Sequence, residues 1–144
     1  MREKTLNFLG LMRRANAIAI GETNTGSAAR SGKAKLWLIA SDASENAQDR
    51  ARGFAAGRGV TAVQLPFTKE EISAHVGVSG CSMAAVTDIG FANALMKSLA
   101  LISPEKYGDM AGSVLAEYAR TQERRDKASA GKRNKRIGKR RNSV

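Results

Sequence analysis

After the short apolar run Ile18-Ala19-Ile20 the chain continues Gly21-Glu22-Thr23-Asn24-Thr25-Gly26-Ser27. A glycine turn that enters a helix offers unpaired backbone N–H groups and the positive end of the helix dipole to a phosphate. Thr23, Asn24 and Ser27 add short polar side chains that hydrogen-bond sugar or base edges, the chemistry by which splayed RNA bases are read. The spacing from Gly21 to Gly26-Ser27 mimics a nucleotide-binding loop. The lysine that such a loop carries between its last glycine and the hydroxyl residue is missing, so nucleotide hydrolysis is not expected. Arg13, Arg14, Arg30, Lys33 and Lys35 flank the segment as candidate phosphate contacts that would position a nucleic acid. Arg13 and Arg14 also suit the last turn of a helix for dipole reasons alone.

The remaining reactive residue types do not assemble into a catalytic set. His75 is the one histidine and Cys81 the one cysteine, so neither metal-ligand spacing nor an internal disulfide is available. A catalytic thiol would need a base partner, and none is indicated. Ser41, Asp42 and Ser44 form no triad; Ser- and Asp-rich turns are ordinary helix caps. With no acid–base pair in sequence, the expectation is a protein that is not an enzyme and uses no cofactor or metal.

The net charge of +11 is unevenly placed. From Arg120 onward the net charge is +9; before it the net charge is only +2. Lys132, Arg133, Lys135, Arg136, Lys139, Arg140 and Arg141 make the end of the chain a polycation without aromatics or a sustained apolar face, whose natural partner is a polyphosphate. No apolar run approaches the roughly 20 residues of a membrane helix, and no secretory leader opens the chain. A lone cysteine suits a reducing compartment, so a cytoplasmic protein is expected.

These residues need elements to hold them. Leu6, Leu9 and Met12 predict a helix over about 4–15. Ile18–Ile20 predicts a strand, and 21–30 a second helix. Leu36–Ala40 is a continuous apolar run that predicts a strand buried on both faces. It stops at Ser41-Asp42, and Ser44 is placed to cap the next helix. Ala47, Ala51, Phe54 and Ala55 give that helix its stripe, ending near Gly57 or Gly59. A strand over 61–65, a capping box at Thr68 and Glu71, a short helix to Gly77 and a strand over 82–87 follow. Asp88 is placed to cap a helix with Phe91, Ala94, Leu95, Ser98, Leu99 and Ile102 on one face. Ser103-Pro104 restarts a helix with the stripe Tyr107, Met110, Ala111, Val114, Leu115 and Tyr118. The alternation predicts a three-layer α/β/α sandwich around a four-stranded mixed sheet. The expected organisation is a domain over 1–102, a helical extension over 103–128 and a disordered basic tail over 129–144.

The order of Leu9-Gly10-Leu11-Met12-Arg13-Arg14-Ala15, Gly21, Arg30-Ser31-Gly32-Lys33-Ala34-Lys35-Leu36 and Ala40-Ser41-Asp42-Ala43-Ser44-Glu45-Asn46 resembles the kink-turn RNA-binding ribosomal protein superfamily, the L-seven-Ae/L-thirty-e group. The closest likeness is to its small bacterial YlxQ-like branch. Thr68-Lys69-Glu70-Glu71 and Val86-Thr87-Asp88-Ile89-Gly90-Phe91-Ala92 continue it, over roughly 4–101. The resemblance implies RNA contacts from Gly21, Glu22, Thr23, Asn24 and Ser27, from Asp42, and from the loop holding Val78, Ser79, Gly80 and Cys81. In the kink-turn binders an Asn-Glu pair and a lysine occupy positions held here by Thr23-Asn24 and Ser27. The implied partner is a structured RNA, a kink-turn or bulged element of ribosomal RNA, bound by a monomer rather than a dimer. Ribosomal proteins or a translation factor are further partners in an alternative reading, in which the sandwich docks on protein and the basic tail alone meets RNA.

Overall fold

The computed structural model describes the backbone of residues 2–79 and 81–142, and the side chains in that range other than those of Glu22, Thr23 and residues 131–142. Gly80, expected in the RNA-contacting loop, lies outside the described residues, as do the side chains of Glu22, Thr23 and the tail cations from Lys132 to Arg141.

Ten elements follow one another: α1 (Arg2–Arg14), β1 (Ile18–Ile20), α2 (Glu22–Arg30), β2 (Leu36–Ile39), α3 (Glu45–Gly57), β3 (Thr61–Gln64), α4 (Lys69–Val76), β4 (Met83–Val86), α5 (Ile89–Ile102) and α6 (Pro104–Asn142). The four strands form one mixed sheet in the order β1-β4-β2-β3. β4 runs antiparallel to both β1 and β2, whereas β3 pairs with β2 in parallel. Hence β1, β2 and β3 all point the same way. α2 and α3 cover one face of the sheet, α1 and α5 the other, with α4 packed on α1 and α6 on α5. The architecture is the expected α/β/α sandwich.

β2 is central, and each of its four residues is buried. Trp37 faces α3, where its ring stacks on Phe54 at 5.9 Å between centroids. Its register partners on the flanking strands are Ala85 and Ala62, and Ala85 in turn pairs with Ala19. Small side chains around one large ring let the alanine-rich α2 and α3 sit close to the sheet, as dense packing requires. Burying the Trp37 indole leaves its Nε1 without a partner among the described residues. That costs roughly 1–3 kcal/mol, about what burial of a large apolar side chain returns.

The expected caps form. Ser44 Oγ accepts from Ala47 N–H, Asp88 Oδ1 accepts from Phe91 N–H, and Thr68 and Glu71 complete a capping box. Arg2 donates to both Glu71 carboxylate oxygens, at 2.7 and 2.6 Å. The Thr68 backbone N–H and this guanidinium hold the Glu71 carboxyl below its ordinary value. α4 ends at Gly77 in the left-handed conformation, which glycine adopts without a side-chain clash.

One element differs from the sequence expectation. The α5 stripe is broader than the face through Phe91, Ala94, Leu95, Ser98, Leu99 and Ile102. Ile89, Ala92 and Met96 are buried too, because α5 lies between the sheet and α6. The last element, α6, runs from Pro104 to Asn142. Lys, Arg and Ala are good helix formers, and no proline interrupts the run.

α6 is fastened at its start. Tyr107 is buried and its hydroxyl donates to Gln64 O, 2.8 Å away, on β3. Val114 is also buried, whereas Leu115, expected on the same stripe, is 46% exposed. Replacing Tyr107 by Phe removes the donor but keeps the ring, and is expected to lower stability by about 1 kcal/mol. Tyr107→Ala is expected to cost about 3–5 kcal/mol. Urea unfolding followed by circular dichroism measures both.

Candidate nucleic-acid interface

The parallel direction of β1, β2 and β3 gives the sheet two distinct ends. At one end lie the turn after β1, the turn after β2 and the loop that enters β4. Gly21 N–H donates to Met83 O, Ala40 N–H to Ser82 O and Ser41 N–H to Phe67 O, tying these segments together. The sequence-predicted turn at Gly21 and the loop at Val78 and Ser79 therefore share one edge. Both loop residues reach solvent, Val78 partly and Ser79 fully.

α2 differs from α3, α4 and α5 at its start. Those three have side-chain caps; Gly21, the N-cap of α2, provides none. First-turn N–H groups left without a protein partner are donors for an anion, reinforced by the helix dipole. Gly21 sits at φ 86° and ψ 159°, a region populated essentially by glycine. Thr25, buried beneath the turn, donates its hydroxyl to Gly21 O, and its own N–H bonds the same carbonyl at 2.9 Å. No local pattern marks Thr25 for this role, since a threonine one turn into a helix reads as a surface residue.

From this end a groove of about 410 Å³ runs between α2 and β1, the edge strand of the sheet. Asn24, Ser27, Arg13 and Lys33 line it, together with Asn16, Ser31 and Thr87, which sequence reasoning did not single out. Among the described residues that line it there is no carboxylate. Asn24 Nδ2 donates to Ile20 O at 2.9 Å, which turns the amide oxygen into the group a ligand would meet. Asn16 sits at φ 56°, a conformation asparagine tolerates better than most residues. The groove thus offers amide and hydroxyl groups near the α2 start and cations at its far end, a set suited to holding an anionic, hydrogen-bonding polymer.

The other expected site residues are elsewhere. Arg30 and Lys35 line a different cleft, with Arg58. Arg14 is exposed in the last turn of α1. Asp42 Oδ1 accepts from Lys69 N–H at 2.8 Å, tying the turn after β2 to the start of α4. Cys81 is buried and its thiol points at Met83 O, 3.6 Å away. Desolvation raises that thiol to about 11. Val78, the other apolar side chain of the loop, is half-buried against the core. His75 Nδ1 bonds Glu71 O at 3.0 Å and its Nε2 lies 3.7 Å from Glu3, so the ring links α4 to α1.

No protein-family model matches the chain. The RNA-binding protein YlxQ of Enterococcus faecium is 33% identical over 91 residues, which span 63% of this chain and 86% of that protein. The chain belongs to the YlxQ family. Among solved structures, a protein of unknown function from Bacillus halodurans superposes with a TM-score of 0.59 at 23% identity, covering 64% of this chain and 92% of that one. That likeness concerns the fold. The lengths matched leave more than a third of this YlxQ-family chain beyond the similarity.

Two outcomes follow from the geometry at this edge. Gly21→Ala places a Cβ in a conformation reserved for glycine and is expected to cost about 1–3 kcal/mol, read as a lowered denaturation midpoint. Cys81, buried and with its thiol raised to about 11, is expected to resist a thiol-specific reagent at pH 8 and to react fully in denaturant. Rapid labelling of the native protein would show that the loop exposes it.

Proposed function

We propose that this protein is a non-catalytic reader of structured RNA. The α2 start, the β1–α2 groove and the loop at Val78 and Ser79 would hold a bent or bulged element such as a kink-turn in ribosomal RNA. Work at the ribosome or in its assembly, in the cytoplasm, fits this reading. The observation that carries it is the uncapped α2 N-terminus opening onto a groove with Asn24 and Ser27 at one end and Arg13 and Lys33 at the other. A relative named as an RNA-binding protein supports RNA as the polymer. Phosphate contacts position such a ligand, while contacts to splayed bases select it. Ser27 stands where the kink-turn binders resemble one another in a lysine, so the groove gives a hydroxyl contact there instead of a charge. The basic second half of α6 would add affinity without sequence preference.

The test compares the full chain on a kink-turn RNA and on a plain duplex of equal length across a salt series. Preference for the kink-turn is expected, and Asn24→Ala is expected to reduce that preference about tenfold, the scale of one base-edge contact of about 1–3 kcal/mol. Ser27→Lys is expected to tighten binding and to steepen the salt slope by about 0.7–0.9. Equal binding of both RNAs, unchanged by Asn24→Ala, would overturn the reading.

A further inference from the structure

We propose that the end of the sheet opposite the α2 start is a second RNA surface, one that grips the phosphate backbone of a helical stem without reading its bases. The inference rests on RNA binding as proposed above, but not on which bases are read. The topology brings to that end the connections that enter β1, β2 and β3. They carry Arg13 and Arg14, then Arg30, Lys33 and Lys35, then Arg58. The carboxylate at the same end that follows β4, Asp88, is occupied in capping Phe91 N–H. The opposite end carries Asp42, Glu45, Glu70 and Glu71, and the bidentate Arg2–Glu71 pair is there. That end holds the cations Arg2 and Lys69 as well, so the carboxylates there are partly balanced, whereas cations predominate at the entry end.

At the basic end an open cleft of about 470 Å³ lies between the turn into β2, the turn into β3 and α6. Arg30, Lys35 and Arg58 line it with Glu117 of α6. Among the described residues, none of these three cations has a carboxylate partner. The cleft has no aromatic side chain on which a base would stack, so its chemistry suits phosphates rather than base faces. It also has no large apolar side chain to anchor in lipid. α6 meets Gln64 through Tyr107 at the far end of β3 and brings Glu117 to this cleft. It therefore runs toward the basic end, and the exposed Arg120, Arg124, Arg125 and Lys127 follow directly beyond it. The groove and this cleft both have Ser31 in their walls, so the two surfaces adjoin just past the end of α2. One RNA would be held at a distorted element by the first surface and along a flanking stem by the second. Glu117 is the repulsive member of the cleft and tempers its affinity.

The test measures full-length protein on a plain RNA duplex across a salt series. The triple variant Arg30→Gln, Lys35→Gln, Arg58→Gln is expected to bind about tenfold or more weakly at moderate salt, and its log-affinity against log-salt slope is expected to flatten by about 2. Glu117→Gln moves the other way, tightening duplex binding about two- to threefold, which damage to the fold would not do. Neither set of changes should alter the ratio of kink-turn to duplex affinity, whereas Asn24→Ala should alter that ratio alone. Unchanged duplex affinity and slope in the triple variant, or in Glu117→Gln, would overturn the second surface. A parent protein that does not bind duplex at low salt would do the same. If the parent lacks kink-turn preference while the triple variant still loses duplex affinity, the second surface stands and the kink-turn reading fails.

Discussion

Burial of β2 on both faces is the constraint from which the other placements follow. Leu36 and Leu38 face the layer that contains α1, with Leu38 beside Leu9, Ile18 and Ile72 around a small internal space. Trp37 faces α3 on the other side. A strand buried this way has both edges paired, with β4 and β3, and both faces covered. Its ends must then emerge at opposite poles of the sandwich. The parallel β1 and β3 share that polarity, so every turn into these strands lies at one pole and every turn out of them at the other. The functional map is a consequence: hydrogen-bonding turns at the exit pole, cations at the entry pole.

Helix capping adds a second level of control. Where Ser44, Thr68 and Asp88 satisfy the first-turn donors of their helices, those helix starts are closed to a ligand. At Gly21 the backbone conformation excludes a side chain, so no cap is possible and the donors are left for an external acceptor. Thr25 and Asn24 secure the turn from inside the helix, through Gly21 O and Ile20 O. These two bonds fix the turn to the first turns of α2.

The edge position of β1 gives the groove its second wall. β1 has three residues and pairs on one side only, and α2 leans over its open side. An exposed strand edge is ordinarily a hazard for unwanted pairing. Here a short strand, an asparagine on each side of it and nearby cations make that edge polar and positively charged. Lys33 and Arg13 come to this groove from different connections, one before β2 and one before β1. Arg30, only three residues from Lys33, lines another cleft.

The sequence by itself determined the local chemistry: the capping residues, the glycine turn, the double-sided burial of Leu36–Ile39 and the gathering of charge toward the end of the chain. Each depends on residues within a few positions of one another, so their spacing in the chain is enough. It also supported an α/β/α sandwich, because strand and helix periods alternate. Only the tertiary structure decided which candidates act together. Arg30 and Lys35 meet Arg58, more than twenty residues away, in one cleft, since the parallel pairing of β2 and β3 puts the turns that enter both strands at one pole. Cys81 reads as a loop residue, yet its side chain is buried against the core, because burial depends on what α1, α4 and β4 place around it. The width of the buried face of α5 likewise depends on α6, which covers it from outside.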